Sequence, residues 1–288
     1  MLVFEHIEAL QKHLRPLKTL QSIGFAPTMG ALHKGHASLI DRAKAENDIV
    51  VCSIFVNPTQ FNDPQDLEKY PRTIEADKKI LESSGCDILF FPSVNEIYPQ
   101  KGQEARGEGQ GKIDLGNLDF VMEASQRPGH FKGVVQVVRR LFDIVEPHKA
   151  YFGQKDFQQF AVIKEMVRQL KYKIEIVPCP IVREPDGLAM SSRNVRLTND
   201  ERKLAPLIFK TLKDVRCKME DGRCNLDELK KTAFGQIASC NQMHLEYFEI
   251  VDEKTLLSVI DLSKSNEIVA CIAVKLGQIR LIDNIILK

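Results

Sequence analysis

No sign of charge dominates this chain: its 288 residues carry 40 Lys and Arg against 39 Asp and Glu, a net charge of +1. Such a balance offers no broad basic field for nucleic acid, although local patches can still hold an acidic small molecule. Long apolar runs are missing as well. No stretch approaches the roughly 18 consecutive apolar residues that a membrane helix needs. The opening MLVFEHIEALQKHL mixes acids and histidines into an amphipathic pattern unlike a signal peptide. The expected address is cytoplasmic, with no membrane partner. Cys52, Cys86, Cys179, Cys217, Cys224, Cys240 and Cys271 include no CxxC pair, their number is odd, and several lie in apolar stretches such as VVCSIFV. Buried, reduced thiols explain them better than disulfides or a zinc site. No internal repeat is visible.

What is present is an ordinary globular composition, 43% hydrophobic and 27% charged, on a length that suits one large or two modest domains. A first hydrophobic strand is expected from Ser22, followed by buried strands over 48–56, 86–92, 148–153 and 173–182. Helical patterns lie between them: GHASLIDRAKAEN, PRTIEADKKILESSG, a stripe of Val134, Val137, Val138, Leu141, Phe142 and Val145, and another of Phe160, Ile163, Val167 and Leu170. Alternating strands and helices predict an α/β unit over 1–182, with a parallel sheet covered on both faces. Ligands of such sheets sit beyond the carboxyl ends of the strands, where APTMGALHKGH, NPTQF and GQKDFQQ all fall. Beyond residue 183 the pattern becomes two helices (roughly 199–220 and 225–239) and three strands, the last two joined by Gly277-Gln278 as a hairpin. That predicts a smaller α+β domain over 183–288 with an antiparallel sheet. The polar, glycine-rich stretch 101–112 reads as a surface loop.

Five segments carry candidate chemistry. His33 and His36 flank Gly35 at the opening of a helix, where unpaired N–H groups and the dipole welcome an anion. Gly30 and Gly35 would clear room for a phosphate, and the imidazoles could donate hydrogen bonds to phosphoryl oxygens. A glycine turn with two surface histidines gives the same pattern. In DGLAMSSRN, Ser191, Ser192 and Arg193 could hold a triphosphate, or form a solvated turn. Lys155 in GQKDFQQ could neutralise phosphate, while Asp156 suits a helix N-cap. In FVNPTQF, Asn57 and Gln60 are neutral amides at a strand end, suited to hydroxyl and carboxyl groups, unless they mark a plain Asn-Pro turn. Arg127, His130 and Lys132 in QRPGHFKGV make a basic mouth or a solvated loop.

Taken together, HxGH and a later Met-Ser-Ser-Arg resemble the paired phosphate motifs of the nucleotidyltransferase superfamily. The ordered strings PTMGALHKGH, FVNPTQF, YPRT, RPGHFKGV, FGQKDFQQ and GLAMSSRN, with C-terminal YFEIVD and RLIDN, are similar to those of the pantoate–β-alanine ligase family across nearly the whole chain. The resemblance implies a Rossmann-like N-terminal domain, a C-terminal lid and a homodimer. It implies ATP and Mg²⁺ as cofactors, with pantoate joined to AMP and the adenylate then attacked by β-alanine. Met29, Gly30, Ala31, Leu32, His33, Lys34, Gly35 and His36 would form the first ATP loop, with His36 in the position the family assigns a proton donor. Gly153, Gln154, Lys155, Asp156, Val182 (by backbone) and Met190 to Arg193 would make further ATP contacts. Gln60 and Gln159 would bind pantoate, Gln60 would also meet β-alanine, Asn57, Arg127 and His130 would adjoin them, and Asp77 would help place Mg²⁺.

Little covalent work is asked of a protein in that reaction, which fits the lack of any Ser-His-Asp or Cys-His set. An already ionised carboxylate needs no general base, so donation from His33 and His36 to phosphate is the expected role. The chain departs from the family at Gln154, where Glu is common, at Glu123-Ala124-Ser125, where Glu-Gly is usual, and in the 101–112 loop. Two other readings are another nucleotidyltransferase, which would lack the NPTQF and KDFQQ amides, and a nucleotide sensor that binds ATP without chemistry. A fragment of an aminoacyl-tRNA synthetase is disfavoured by the missing basic surface.

Overall fold

The computed structural model describes residues 1–62, 64–99, 113–222, 225–262 and 267–288. The glycine-rich loop 101–112 lies outside the described residues. Six strands form one parallel sheet: β1 (Leu2–Phe4), β2 (Ile23–Thr28), β3 (Ile49–Ile54), β4 (Ile88–Phe90), β5 (Lys149–Gly153) and β6 (Glu175–Cys179). Their order is β1-β4-β3-β2-β5-β6. β3 is buried along its whole length, which is why its sequence is apolar at every position but Ser53 rather than alternating. β2 splits its side chains between layers: Phe25 enters the core cluster containing Val134 and Phe142, and Ala26 the one containing Ile40 and Tyr151.

The expected first strand at Ser22 is in fact the second. β1 is an exposed three-residue edge strand pairing Leu2–Phe4 with Ile88–Phe90. Too short for a period of its own, it merges in sequence with the amphipathic helix that follows. The Phe157–Leu170 helix buries Phe160, Val162, Ile163 and Met166, whereas Val167 and Leu170 only flank the core.

β7 (Met243–Asp252), β8 (Ile268–Leu276) and β9 (Ile279–Ile286) form the antiparallel sheet, with the β8–β9 hairpin turning through Gly277 (φ +56°) and Gln278. The helix expected over 199–220 is two helices, Asn199–Leu204 and Leu207–Glu220, separated at Ala205-Pro206. Pro206 has no N–H to continue the first and suits the start of the second. The antiparallel unit packs firmly on the parallel one. Val251, Leu256, Val269 and Cys271 join the larger core cluster. Arg280 grips buried Glu123 with two bonds of 2.7 Å, and Tyr247 donates to the same carboxylate at 2.7 Å. Asn284 Nδ2 donates to the carbonyls of Gln154 (2.9 Å) and Lys155 (3.0 Å).

In the parallel sheet, β3, β4 and β1 lie to one side of β2, and β5 and β6 to the other. The connection reverses between β2 and β5, so a crevice opens beyond Thr28 and Gly153. The suspect loops begin there.

Candidate active site

The loop after β2 turns through two left-handed residues. Gly30 (φ +82°) and Ala31 (φ +49°) both take the left-handed conformation, a strained one for Ala31. Asp77 secures it. One carboxylate oxygen accepts from Ala31 N at 3.0 Å; the other accepts from Leu32 N at 2.8 Å and Thr73 Oγ1 at 3.0 Å. Only 1% of Asp77 is exposed. Asp77, which the family resemblance sets beside Mg²⁺, serves here as a loop anchor, with at least one donor on each carboxylate oxygen. No group of three or more His, Cys, Asp or Glu able to hold a metal occurs among the described residues.

His33 is the N-cap of the Lys34–Glu46 helix. Its Nδ1 accepts from Gly35 N at 3.1 Å, and His36 Nδ1 accepts from His33 N at 3.4 Å. Backbone N–H groups only donate, so both Nδ1 atoms are unprotonated and a neutral ring carries its proton on Nε2. Withdrawal from water, aided by nearby Lys155, lowers the His33 pKa to about 4. The same withdrawal, with His33 beside it, lowers His36 to about 3. The ring centroids are 4.1 Å apart. At neutral pH the loop therefore presents two neutral N–H donors. Gly35, read as clearing space for a phosphate, clears space for a ring: a Cβ there would sit 2.8 Å from His33 Cε1.

Across the crevice, Lys155 Nζ lies 3.5 Å from Asp156. Burial pushes the Asp156 carboxyl up, but Lys155, Arg193 and His36 more than offset this and hold it below the usual range. Asp156 stands at the N-cap position, yet its side chain caps nothing. In the later loop Ser191 Oγ accepts from Arg193 N at 3.3 Å, and Ser192 Oγ lies 3.4 Å from Tyr70 OH. Arg193 and Arg196 share the Asp66 carboxylate at 3.0 and 2.8 Å.

The amides divide. Gln159 has no hydrogen-bond partner among the described residues and faces the cavity. Its neighbour Gln158 is buried and spent on Glu123 N and the carbonyls of Leu118 and Val121. Asn57, expected at the organic acid, lines the cavity and also braces the turn beside it. It donates to Gly133 O (3.1 Å) and Gln60 Oε1 (3.3 Å), and accepts from Thr59 and from Tyr98 OH. Gly133 lets the His130–Val145 helix approach this turn: a Cβ there would lie 2.4 Å from Thr59 O. Gln60 Nε2 touches only the weak acceptor Met29 Sδ, leaving it exchangeable. His130 Nδ1 donates to Gln60 O at 2.8 Å and its Nε2 accepts from Arg127 at 3.1 Å. Burial, helped by Arg127, lowers the His130 pKa to about 4, in keeping with that neutral tautomer. Lys132 is not part of this mouth; it is exposed and lies 3.8 Å from Asp119.

Met29, His33, Gly35, His36, Asn57, Gln60, Gly153, Lys155, Asp156, Gln159, Val182, Met190, Ser191, Ser192 and Arg193 thus line one cavity of about 200 Å³. Val182 reaches it with its carbonyl bonded to Met190 N. Gly30, Ala31, Leu32, Lys34 and Gln154 do not line it. Gln154 contributes its backbone carbonyl to Asn284 instead. Arg127 and His130 line an adjoining cavity of about 340 Å³ between the two units. Tyr70, Asp66 and Arg196 join these walls and were not singled out from sequence. The first two follow NPTQF, in the stretch that ends in YPRT.

A sheet crevice gathering neutral imidazoles, a lysine, hydroxyls and arginines with the amides of Gln60 and Gln159 has the character of a site for phosphoryl and carboxyl groups together. Residues 2–286 match the family model described as pantoate-beta-alanine ligase, and the chain belongs to that family of ligases. A pantothenate synthetase from Bacteroides fragilis is 49% identical over 286 residues, 99% of this chain and 98% of that one. One from Thermotoga neapolitana is 45% identical over 288 residues, 100% of both. The fold is similar to the crystal structure of pantothenate synthetase from Thermus thermophilus (TM-score 0.91, 39% identity, 99% of each chain). It is also similar to that of pantoate-beta-alanine ligase from Francisella tularensis complexed with beta-gamma ATP and beta-alanine (TM-score 0.79, 37% identity, 99% of this chain and 97% of that one).

Proposed function

We propose that this protein joins pantoate to β-alanine at the expense of ATP, through a pantoyl adenylate, with release of pyrophosphate and AMP. The observation that carries the reading is the meeting, in one cavity, of two Nε2–H imidazoles with Lys155 and the Ser191–Arg193 turn on one side and Gln60 and Gln159 on the other. A pantoate carboxylate oxygen attacks the α-phosphorus, the bond to the β-phosphate oxygen breaks, and pyrophosphate leaves. The β-alanine amine then attacks the acyl carbon and AMP departs with the electron pair of the broken acyl–oxygen bond. Neither step needs a protein nucleophile; each needs alignment and charge stabilisation. His33 and His36 donate to phosphate oxygens as charge grows on them, and remain neutral donors because their Nδ1 atoms are tied to backbone. Lys155 and Arg193 balance the tail. Gln60 and Gln159 read the hydroxy acid without adding charge, and Arg127 and His130 fix Gln60 by its carbonyl.

Magnesium would arrive with the nucleotide and supply charge neutralisation at its phosphates, and Asp77 holds the loop that faces them. The closing role of residues 183–288, homodimer assembly and a cytoplasmic location follow the family reading. No helix among the described residues is long and apolar enough to cross a membrane. The decisive assay measures pyrophosphate release with ATP and pantoate alone, then pantothenate on adding β-alanine. Release that needs no pantoate, or ATP binding without any product, would overturn the proposal.

A further inference from the structure

Arg193 and Arg196 stand on the phosphate side of the crevice, yet both point at one internal anion. Asp66 spreads its carboxylate between them, one oxygen to each, and all three side chains are about one-quarter exposed. The arginines hold this carboxyl below its usual range against the opposing effect of burial, so it is ionised at neutral pH. A carboxylate bridging two guanidinium groups copies the way a terminal phosphate would bridge them. The site is also continuous with the nucleotide cavity: Lys155, Ser191 and Arg193 line both spaces, and Asp66 and Arg196 line the far one. A tail running past Lys155 and Ser191 therefore reaches the position that Asp66 now occupies.

We propose that Asp66 is an internal stand-in for the phosphate tail, exchanged for it on binding, and that Arg196 is a second phosphate-binding cation beside Arg193. The inference rests on the ligase reading and deepens it. The carboxylate keeps two like charges together in the absence of nucleotide, at the cost of competing with the nucleotide when it arrives. That competition falls only on ligands with β- and γ-phosphates. AMP does not reach the pair.

The test measures Kd for ATP and for AMP on the full chain by calorimetry, with melting temperature as a fold control. For Asp66→Asn the expected result is ATP binding tightened by about three- to tenfold, with AMP binding unchanged, because a partly exposed charge competitor has been removed. For Arg196→Gln, ATP and inorganic pyrophosphate should both weaken by a similar factor, again without change for AMP. Asp66→Asn weakening ATP would make Asp66 a mere prop for Arg193 and overturn the proposal; so would equal shifts for ATP and AMP. Should Asp66→Asn fold poorly, Arg196→Gln alone decides, since unchanged pyrophosphate binding would exclude Arg196 from the site. Pantothenate formation by the unsubstituted protein, assayed in parallel, separates failure of this inference from failure of the ligase reading.

Discussion

The two phosphate-facing loops are built on opposite principles. The Met29–His36 loop is finished before any ligand arrives: Asp77 pins it, His33 and His36 are tied to backbone N–H groups, and the imidazole tautomers are set. The Ser191–Arg196 turn takes its backbone shape from Asn194 N to Ser191 O and Arg196 N to Arg193 O bonds, but its cavity-facing side chains rest on contacts a ligand can exchange: a shared carboxylate at the arginines and a 3.4 Å hydroxyl contact at Ser192. Groups that stabilise a transition state gain most from being fixed in advance, because no reorganisation accompanies the reaction. Groups that receive and release a charged tail must let go of it. Rigidity and exchange are therefore divided between the strand-end loop and the seam of the two units.

The most damaging change should be Asp77→Ala. It strands the buried N–H groups of Ala31 and Leu32 and releases a strained residue, so a stability loss of about 2–4 kcal/mol is expected, read from urea midpoints. Activity should fall further than with any single imidazole change. Asp77→Asn, which keeps one acceptor, should leave the Mg²⁺ concentration for half-maximal rate unaltered; a marked rise would restore Asp77 as a metal ligand. Next comes His36→Ala, which should lower kcat by about 10²–10³ with a small change in ATP Kd. A loss confined to ATP affinity, with the saturated rate intact, would sink the transition-state role and erase the contrast between the loops.

Acidity tests the same contrast more gently. The folded-state pKa values of His33, His36 and His130 lie at about 4, 3 and 4, below the ordinary 6.5 of an exposed imidazole. Below pH 6.5 the unfolded chain takes up protons that the folded chain refuses, so stability falls as pH drops toward about 4. Each histidine adds a slope of up to about 1.4 kcal/mol per pH unit within that window. Above it these groups contribute no slope. The kcat profile should likewise show no imidazole ionisation near pH 6.5. A break there would mean that one ring works as a cation.

Much of this arrangement was legible in one sequence, for reasons that also explain the gaps. Central strands such as β3, buried on both faces, announce themselves as apolar runs, whereas β1 has three residues and an exposed edge. The histidine pair and Ser191–Arg193 are local patterns, readable because their members are neighbours in the chain. Asp77–Ala31 and Asp66–Arg193 join residues 46 and 127 positions apart, and nothing local couples them. Adjacent Gln158 and Gln159 carry the same chemistry, and only packing decides that the first is buried and the second faces the cavity. Asn57 shows a related limit: an amide at a strand end looks the same in sequence whether it only faces a ligand or also braces a turn, and here it lines the cavity while bracing the turn. The break at Pro206 was in the letters and was overridden by a continuous helical period.

The smallest expected effect is the sharpest test of exchangeability. Tyr70 is 5% exposed, its ring packs 5.6 Å from that of Phe61, and its hydroxyl lies 3.4 Å from Ser192 Oγ. Tyr70→Phe keeps the ring and removes only that hydroxyl, so the packing that holds the ring is left alone. A contact so long is a weak hydrogen bond, and Ser192 can turn its hydroxyl toward a phosphate instead. The expected change in ATP KM is under about twofold and in stability under about 0.5 kcal/mol, measured by steady-state kinetics and urea midpoints. A tenfold rise in KM at unchanged kcat would show that Tyr70 fixes the serine turn in advance, as Asp77 fixes the histidine loop. The two loops would then share one design, and the exchange assigned to Asp66 would lose its setting.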